Sequence, residues 1–158
     1  MSVEDIGYQV SETAEWRRLK AAQFPEDTRN LQAAQALDRL ARQIEELEKS
    51  EIHSQIDEAN DSLAMACEAT DNYDVWADIN EDVSGELRSI GFHSDNDAVH
   101  FLEWYRDLLR EKLQDVLDKA VPVPDLHEQV ANDPSVKAAK QAYESVYAKA
   151  LAEARKKV

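Results

Sequence analysis

A chain of 158 residues with three glycines, four prolines and a single cysteine is poorly suited to a β-sandwich or barrel, whose strands need turn-forming residues every 8–12 positions or so. With Cys67 alone there is no internal disulfide and no CxxC metal site. The 43% of hydrophobic residues is enough for a packed core, while 33 acidic against 18 basic residues leave a net charge of -15, which disfavours direct nucleic-acid binding because phosphate affinity comes from Lys and Arg.

Helical spacing of apolar residues sets in at Ser11, with Ala14, Trp16, Leu19 and Ala22. Pro25 restricts Phe24 to an extended conformation, so a short first helix is expected to end there. Pro25-Glu26-Asp27 places acids at the positive end of a second helix, whose face is Leu37, Leu40, Ile44 and Leu47. The next stripe, Ile52, Ile56, Ala59, Leu63 and Cys67, is centred about 110° around the axis from the previous one. Either the helix breaks between Ser50 and Ser54, with Ser54 and Asp57 as a capping box, or one long helix changes partners halfway. With no Gly or Pro in that stretch, a continuous or kinked helix is favoured.

A further helix starts around Asp71, carries Trp76, Ile79, Val83, Leu87 and Ile90, and closes at Gly91, the usual left-handed residue after a helix. Ser94-Asp95-Asn96-Asp97 then caps the most hydrophobic element: Ala98, Phe101, Leu102, Tyr105, Leu108, Leu109, Leu113, Val116, Leu117 and Ala120. These residues cover about half the circumference, which predicts a long central helix over 95–120. Val121-Pro122-Val123-Pro124 cannot continue a helix. A short Pro-containing connector at 121–125 and a single turn around Leu126 to Val130 therefore precede a last helix, opened by Asp133-Pro134. Its stripe of Val136, Ala139, Tyr143, Val146, Tyr147, Ala150 and Ala154 is rich in small residues and predicts close packing on a neighbour, or homo-oligomer formation by exchange of this helix between copies. The fold class is thus all-α, a single-domain helical bundle of five or six helices over 1–158.

Met-Ser-Val-Glu-Asp at the N-terminus has acids where an export signal has bases, and no apolar run reaches the ~18 residues of a membrane span. The expectation is a cytoplasmic protein without membrane contact.

The excess charge is not spread evenly. From Glu45 to Glu103 there are seventeen Asp or Glu against Lys49 and Arg88, with no Lys or Arg from Ser50 to Leu87. Asp74, Asp78 and Asp82 recur at i, i+4, a like-charge ladder that weakens a helix by a few tenths of a kcal/mol per pair. One reading is a solvated face that maintains solubility. The sharper one is a docking surface for a protein partner with a basic surface, formed by the ladder with Asp71 and Glu81; a charge mimic of DNA is a third. Trp104 falls near Glu111 and Asp115 on the helical wheel, off the main apolar arc, and is the best single candidate for a partner contact because Trp is enriched at interaction hot spots.

No Gly-rich phosphate loop, GxSxG, HExxH or EF-hand pattern occurs, and no cofactor is expected. His53 with Asp57, and His100 with Asp97 or Glu103, have spacings that share a helix face. The competing class is therefore a metal-dependent helical-bundle enzyme or metal-binding protein with carboxylate and His ligands, which requires three or more convergent ligands. Cys67 on the apolar stripe reads as a buried, inert thiol. The favoured function is a non-catalytic helical protein-protein interaction or regulatory protein with an acidic recognition face.

Overall fold

The computed structural model describes residues 1–93, 97–120 and 130–156. It is all-α, with no strand among the described residues: α1 Val3–Gln23, α2 Arg29–Glu46, α3 Glu51–Thr70, α4 Val75–Ser89, α5 Ala98–Lys119 and α6 Pro134–Lys156. Residues 130–132 are also helical ahead of α6, so the helices outnumber the five or six expected. The expected connector at 121–125, nearly all of the turn around Leu126 to Val130, and Ser94, Asp95 and Asn96 lie outside the described residues. The chain divides into two compact units, Met1–Leu117 and Asp118–Val158.

In the first unit α1 begins well before Ser11. Ser2 and Asp5 form a capping box: the Asp5 N–H donates to Ser2 Oγ at 3.2 Å and the Ser2 N–H donates to Asp5 Oδ2 at 2.8 Å. Those hydrogen bonds hold the Asp5 carboxyl below the usual carboxylate range. The buried stripe is Val3, Ile6, Val10 and Ala14, whereas Trp16 and Leu19 are exposed. The stripe expected from Ser11 onward shares only Ala14 with it. Helix α2 buries Ala33, Ala34, Ala36, Leu37, Leu40 and Ile44, and α1 against α2 is the closest helix pairing of this unit.

The chain breaks after α2 instead of continuing. The Leu47 N–H returns to the Ile44 carbonyl, the Ser50 N–H and Oγ both donate to the Leu47 carbonyl, and extended Ser50 (ψ 164°) starts α3. A straight helix would turn the stripe of Ile56, Ala59, Leu63 and Cys67 away from the core that Leu37, Leu40 and Ile44 enter; the turn lets both stripes be buried together. Ser54 lies inside α3, so it caps nothing.

Asp71 is the end of α3, not the start of the next helix. It takes the left-handed conformation (φ 51°), with its N–H bonded to the Cys67 carbonyl. Helix α4 then buries Val75, Ile79, Val83 and Leu87, and Gly91 follows at φ 81°. Asp97 caps α5: its Oδ1 accepts from the His100 N–H at 3.0 Å and its carbonyl from the Phe101 N–H at 3.0 Å. Helix α5 buries Ala98, Phe101, Leu102, Tyr105, Leu108, Leu109 and Val116. It starts three residues later than the expected 95, Leu117 near its end is exposed, and the closest helix pairing is not one of its own. Its polar links nonetheless reach widely: Tyr105 Oη donates to the Met1 carbonyl at 2.6 Å, the Ala98 N–H to Gln43 Oε1 at 3.2 Å, and Arg106 to Gln55 Oε1 at 2.8 Å. Burial pushes the Tyr105 hydroxyl well above its ordinary range, so it remains a hydrogen-bond donor.

In the second unit, Asp133 Oδ1 accepts from the Ser135 N–H at 2.8 Å, and Pro134 is the first residue of α6. No residue of α6 is buried. The aromatic rings of Tyr143 and Tyr147 stack at 6.2 Å, but the close packing expected of the small-residue stripe is not made by the described residues. Among the described residues, no helix is long and apolar enough to cross a membrane.

Candidate functional site: an acidic face on α4

The five carboxylates singled out by charge counting are all exposed. Asp78, Glu81 and Asp82 lie on α4, Asp74 is its N-cap residue and Asp71 is the left-handed residue before it. The i, i+4 spacing that puts Val75, Ile79, Val83 and Leu87 into the core turns Asp74, Asp78 and Asp82 outward. Trp76, expected on the buried stripe, is half-buried; Val75 takes the buried position instead.

Sequence inspection missed the cation of this face. Lys112, on α5, places Nζ 2.9 Å from Asp82 Oδ2. The Asp82 hydrogen bond, with the nearby charges of Asp78 and Glu111, raises the ammonium pKa and keeps Lys112 charged. Asp82 therefore ties α4 to α5, in the range of a surface pair, roughly 0–1 kcal/mol. Among the described residues, Asp71, Asp74, Asp78 and Glu81 have no ion pair. An array of this kind projects a negative potential of order several kT that focuses counter-charges from solution.

Trp104 is half-buried on the edge of the core, its ring 5.5 Å from that of Phe101 and tilted by 40°. Two apolar side chains that sequence reading passed over stand exposed within the acidic stretch: Met65 is 71% exposed and Tyr73 55%. Their signal was available. Met65 is off the Ile56, Leu63, Cys67 stripe and shares a face of α3 with Asp61 and Glu68 at i-4 and i+3, and Tyr73 sits in the turn between two helical stripes.

The His–carboxylate spacings do produce pairs, His53 Nδ1 to Asp57 at 3.5 Å and His100 Nδ1 to Asp97 at 2.8 Å. Neither gathers further ligands: among the described residues no group of three or more His, Cys, Asp or Glu is placed to hold a metal ion. Cys67 is fully buried, and burial pushes its thiol pKa up, which favours the unreactive protonated form. No protein-family model matches this chain, no curated protein matches it in sequence, and no solved structure matches it in fold.

Proposed function

We propose that this chain is a non-catalytic helical interaction or regulatory protein of the cytoplasm, and that the face formed by Asp71, Asp74, Asp78, Glu81 and Asp82 binds a partner protein with a basic surface. The observation that carries this reading is the exposure of five carboxylates on one helix and its leading turn, four of them without an ion pair among the described residues. Mutual repulsion on α4 opposes folding, and a basic partner relieves it. Exposed Met65 and Tyr73 add apolar anchors in the same acidic stretch, as an interface that combines a charged rim with aromatic or Met contacts needs. Charge reversal tests the reading, with Asp82 left in place because its loss would also break the tie to Lys112. Asp74→Lys/Asp78→Lys/Glu81→Lys should fold as well as the parent by circular dichroism. It should also lose partners that the parent captures at low salt and releases at high salt. Retention of every such partner with the same salt dependence would leave solubility as the role of this face.

A second reading, compatible with the first, is self-association through α6. Val136, Tyr143, Val146, Tyr147 and Leu151 are exposed, and α6 carries Lys137, Lys140, Lys149, Arg155 and Lys156 against Glu144 and Glu153. A basic, aromatic helix on a chain of net charge -15 is charge-complementary to a second copy. Sedimentation at micromolar concentration should show a dimer that Tyr143→Glu/Tyr147→Glu converts to monomer. A parent chain that sediments as a monomer at low salt contradicts this reading.

A further inference from the structure

Helix α6 has an apolar face and a set of charges that nothing in its own unit uses. Val136, Tyr143, Val146 and Tyr147 fall within about 100° of arc on the helix, and all four are exposed. Lys137 and Lys140 flank this face on one side and Lys149 on the other. Among the described residues none of the basic side chains of α6 has an ion pair.

Charge selects what can cover such a face. With five basic against two acidic residues, α6 carries a net charge of +3. A second α6 would set like charge against like. The first unit, Met1–Leu117, has twenty-seven acidic against eleven basic residues, a net charge of -16. The first unit of a second copy is therefore the complementary surface, and within it the stretch from Ser50 to Leu87 holds no Lys or Arg. That stretch contains the unpaired carboxylates Asp71, Asp74, Asp78 and Glu81, and it exposes Met65 and Tyr73 as apolar ground for the tyrosine face of α6.

We infer that the basic partner of the acidic face is α6 of a second copy of this chain, which rests on the reading of that face as a recognition surface. Lys137, Lys140 and Lys149 meet the carboxylates of α4, and two such contacts made reciprocally close a dimer.

Charge exchange tests this by sedimentation at micromolar concentration. The parent should be a dimer whose affinity falls at least tenfold between about 0.05 and 0.5 M salt. The face variant Asp74→Lys/Asp78→Lys/Glu81→Lys and the helix variant Lys137→Glu/Lys140→Glu/Lys149→Glu should each be helical by circular dichroism. Each alone should self-associate at least tenfold more weakly than the parent, because like charges then meet. Their equimolar mixture should recover the dimer, since the reversed helix meets the reversed face and the native helix the native face. A misfolded variant could not restore it. A dimer insensitive to salt, variants as dimeric as the parent, or a mixture that stays monomeric overturns the inference. A monomeric parent overturns it too. If the face variant still loses other partners captured at low salt, the recognition face stands and α6 is not what it binds.

Discussion

Phe101→Ala is expected to destabilise the first unit by about 3–5 kcal/mol, the range for removing a buried aromatic side chain. Phe101 is fully buried on α5, one turn after the Asp97 cap, and its ring supports Trp104 at 5.5 Å. Truncation therefore removes apolar burial, leaves a cavity and deprives the indole of its aromatic neighbour, a contact that contributes about 0.5–1.5 kcal/mol beyond area alone. Urea unfolding followed by tryptophan fluorescence measures both effects. The midpoint should fall at nearly unchanged slope, and the native emission should shift as Trp104 gains exposure. A loss of less than about half a kcal/mol, the range of surface substitutions, would mean that α5 is not part of the core.

Gly91→Ala should be nearly as damaging although it adds only one methyl group. Gly91 has φ 81°, a backbone conformation that costs an L-residue roughly 1–2 kcal/mol. The new Cβ would also stand 2.6 Å from Ala33 Cα and 3.0 Å from Ala33 Cβ, so backbone of α2 must move, and overpacking of this kind costs about 1–3 kcal/mol. Together these give about 2–5 kcal/mol. A thermal melt compares Gly91→Ala with Gly7→Ala, where the added methyl meets open space in a right-handed helix and a gain of up to about 1 kcal/mol is expected. Opposite signs for the same substitution at the two glycines follow from their geometry, and equal melting temperatures would contradict it.

Much of the fold was legible because helical burial leaves a periodic trace. Ile56, Ala59, Leu63 and Cys67, or Val83, Leu87 and Ile90, stand at the spacing that one buried face requires, and each is buried. Asp133-Pro134 likewise opens α6 as its residue types require. What sequence periodicity obscured was local competition at helix ends. Trp16 and Leu19 stand out as large apolar residues, yet the capping box of Ser2 and Asp5 starts α1 at Val3, eight residues earlier than the expected Ser11, around the smaller stripe Val3, Ile6, Val10 and Ala14. The absence of Gly or Pro near Ser50 suggested continuity, but two stripes facing different directions favour a break, and a serine supplied the turn. Asp71 reads as a helix start because Asp is a common N-cap, whereas here it adopts the left-handed C-terminal position that Asp tolerates better than most residues.

The acidic face was legible as a count of charges and a spacing, since both are properties of one segment. Its neutralisation was not. Lys112 lies thirty residues after Asp82 in the chain, and only the packing of α5 beside α4 brings its Nζ within 2.9 Å of that carboxylate. The half-burial of Trp104 against Phe101 is likewise a tertiary fact. On a helical wheel Trp104 falls off the apolar arc, but an indole is long enough to reach back to the core edge from there.

The most direct test of an electrostatic recognition face is the association rate of the chain with a partner isolated at low salt, measured from about 0.05 to 0.5 M ionic strength, a range over which screening shortens from roughly 14 to 4 Å. Steering by the exposed carboxylates predicts a steep fall in the parent's association rate with salt and a smaller change in its dissociation rate. Asp74→Lys/Asp78→Lys/Glu81→Lys should associate much more slowly at low salt and lose the salt dependence, with the Asp82–Lys112 tie intact. Identical rates and identical salt slopes for parent and variant would contradict the account.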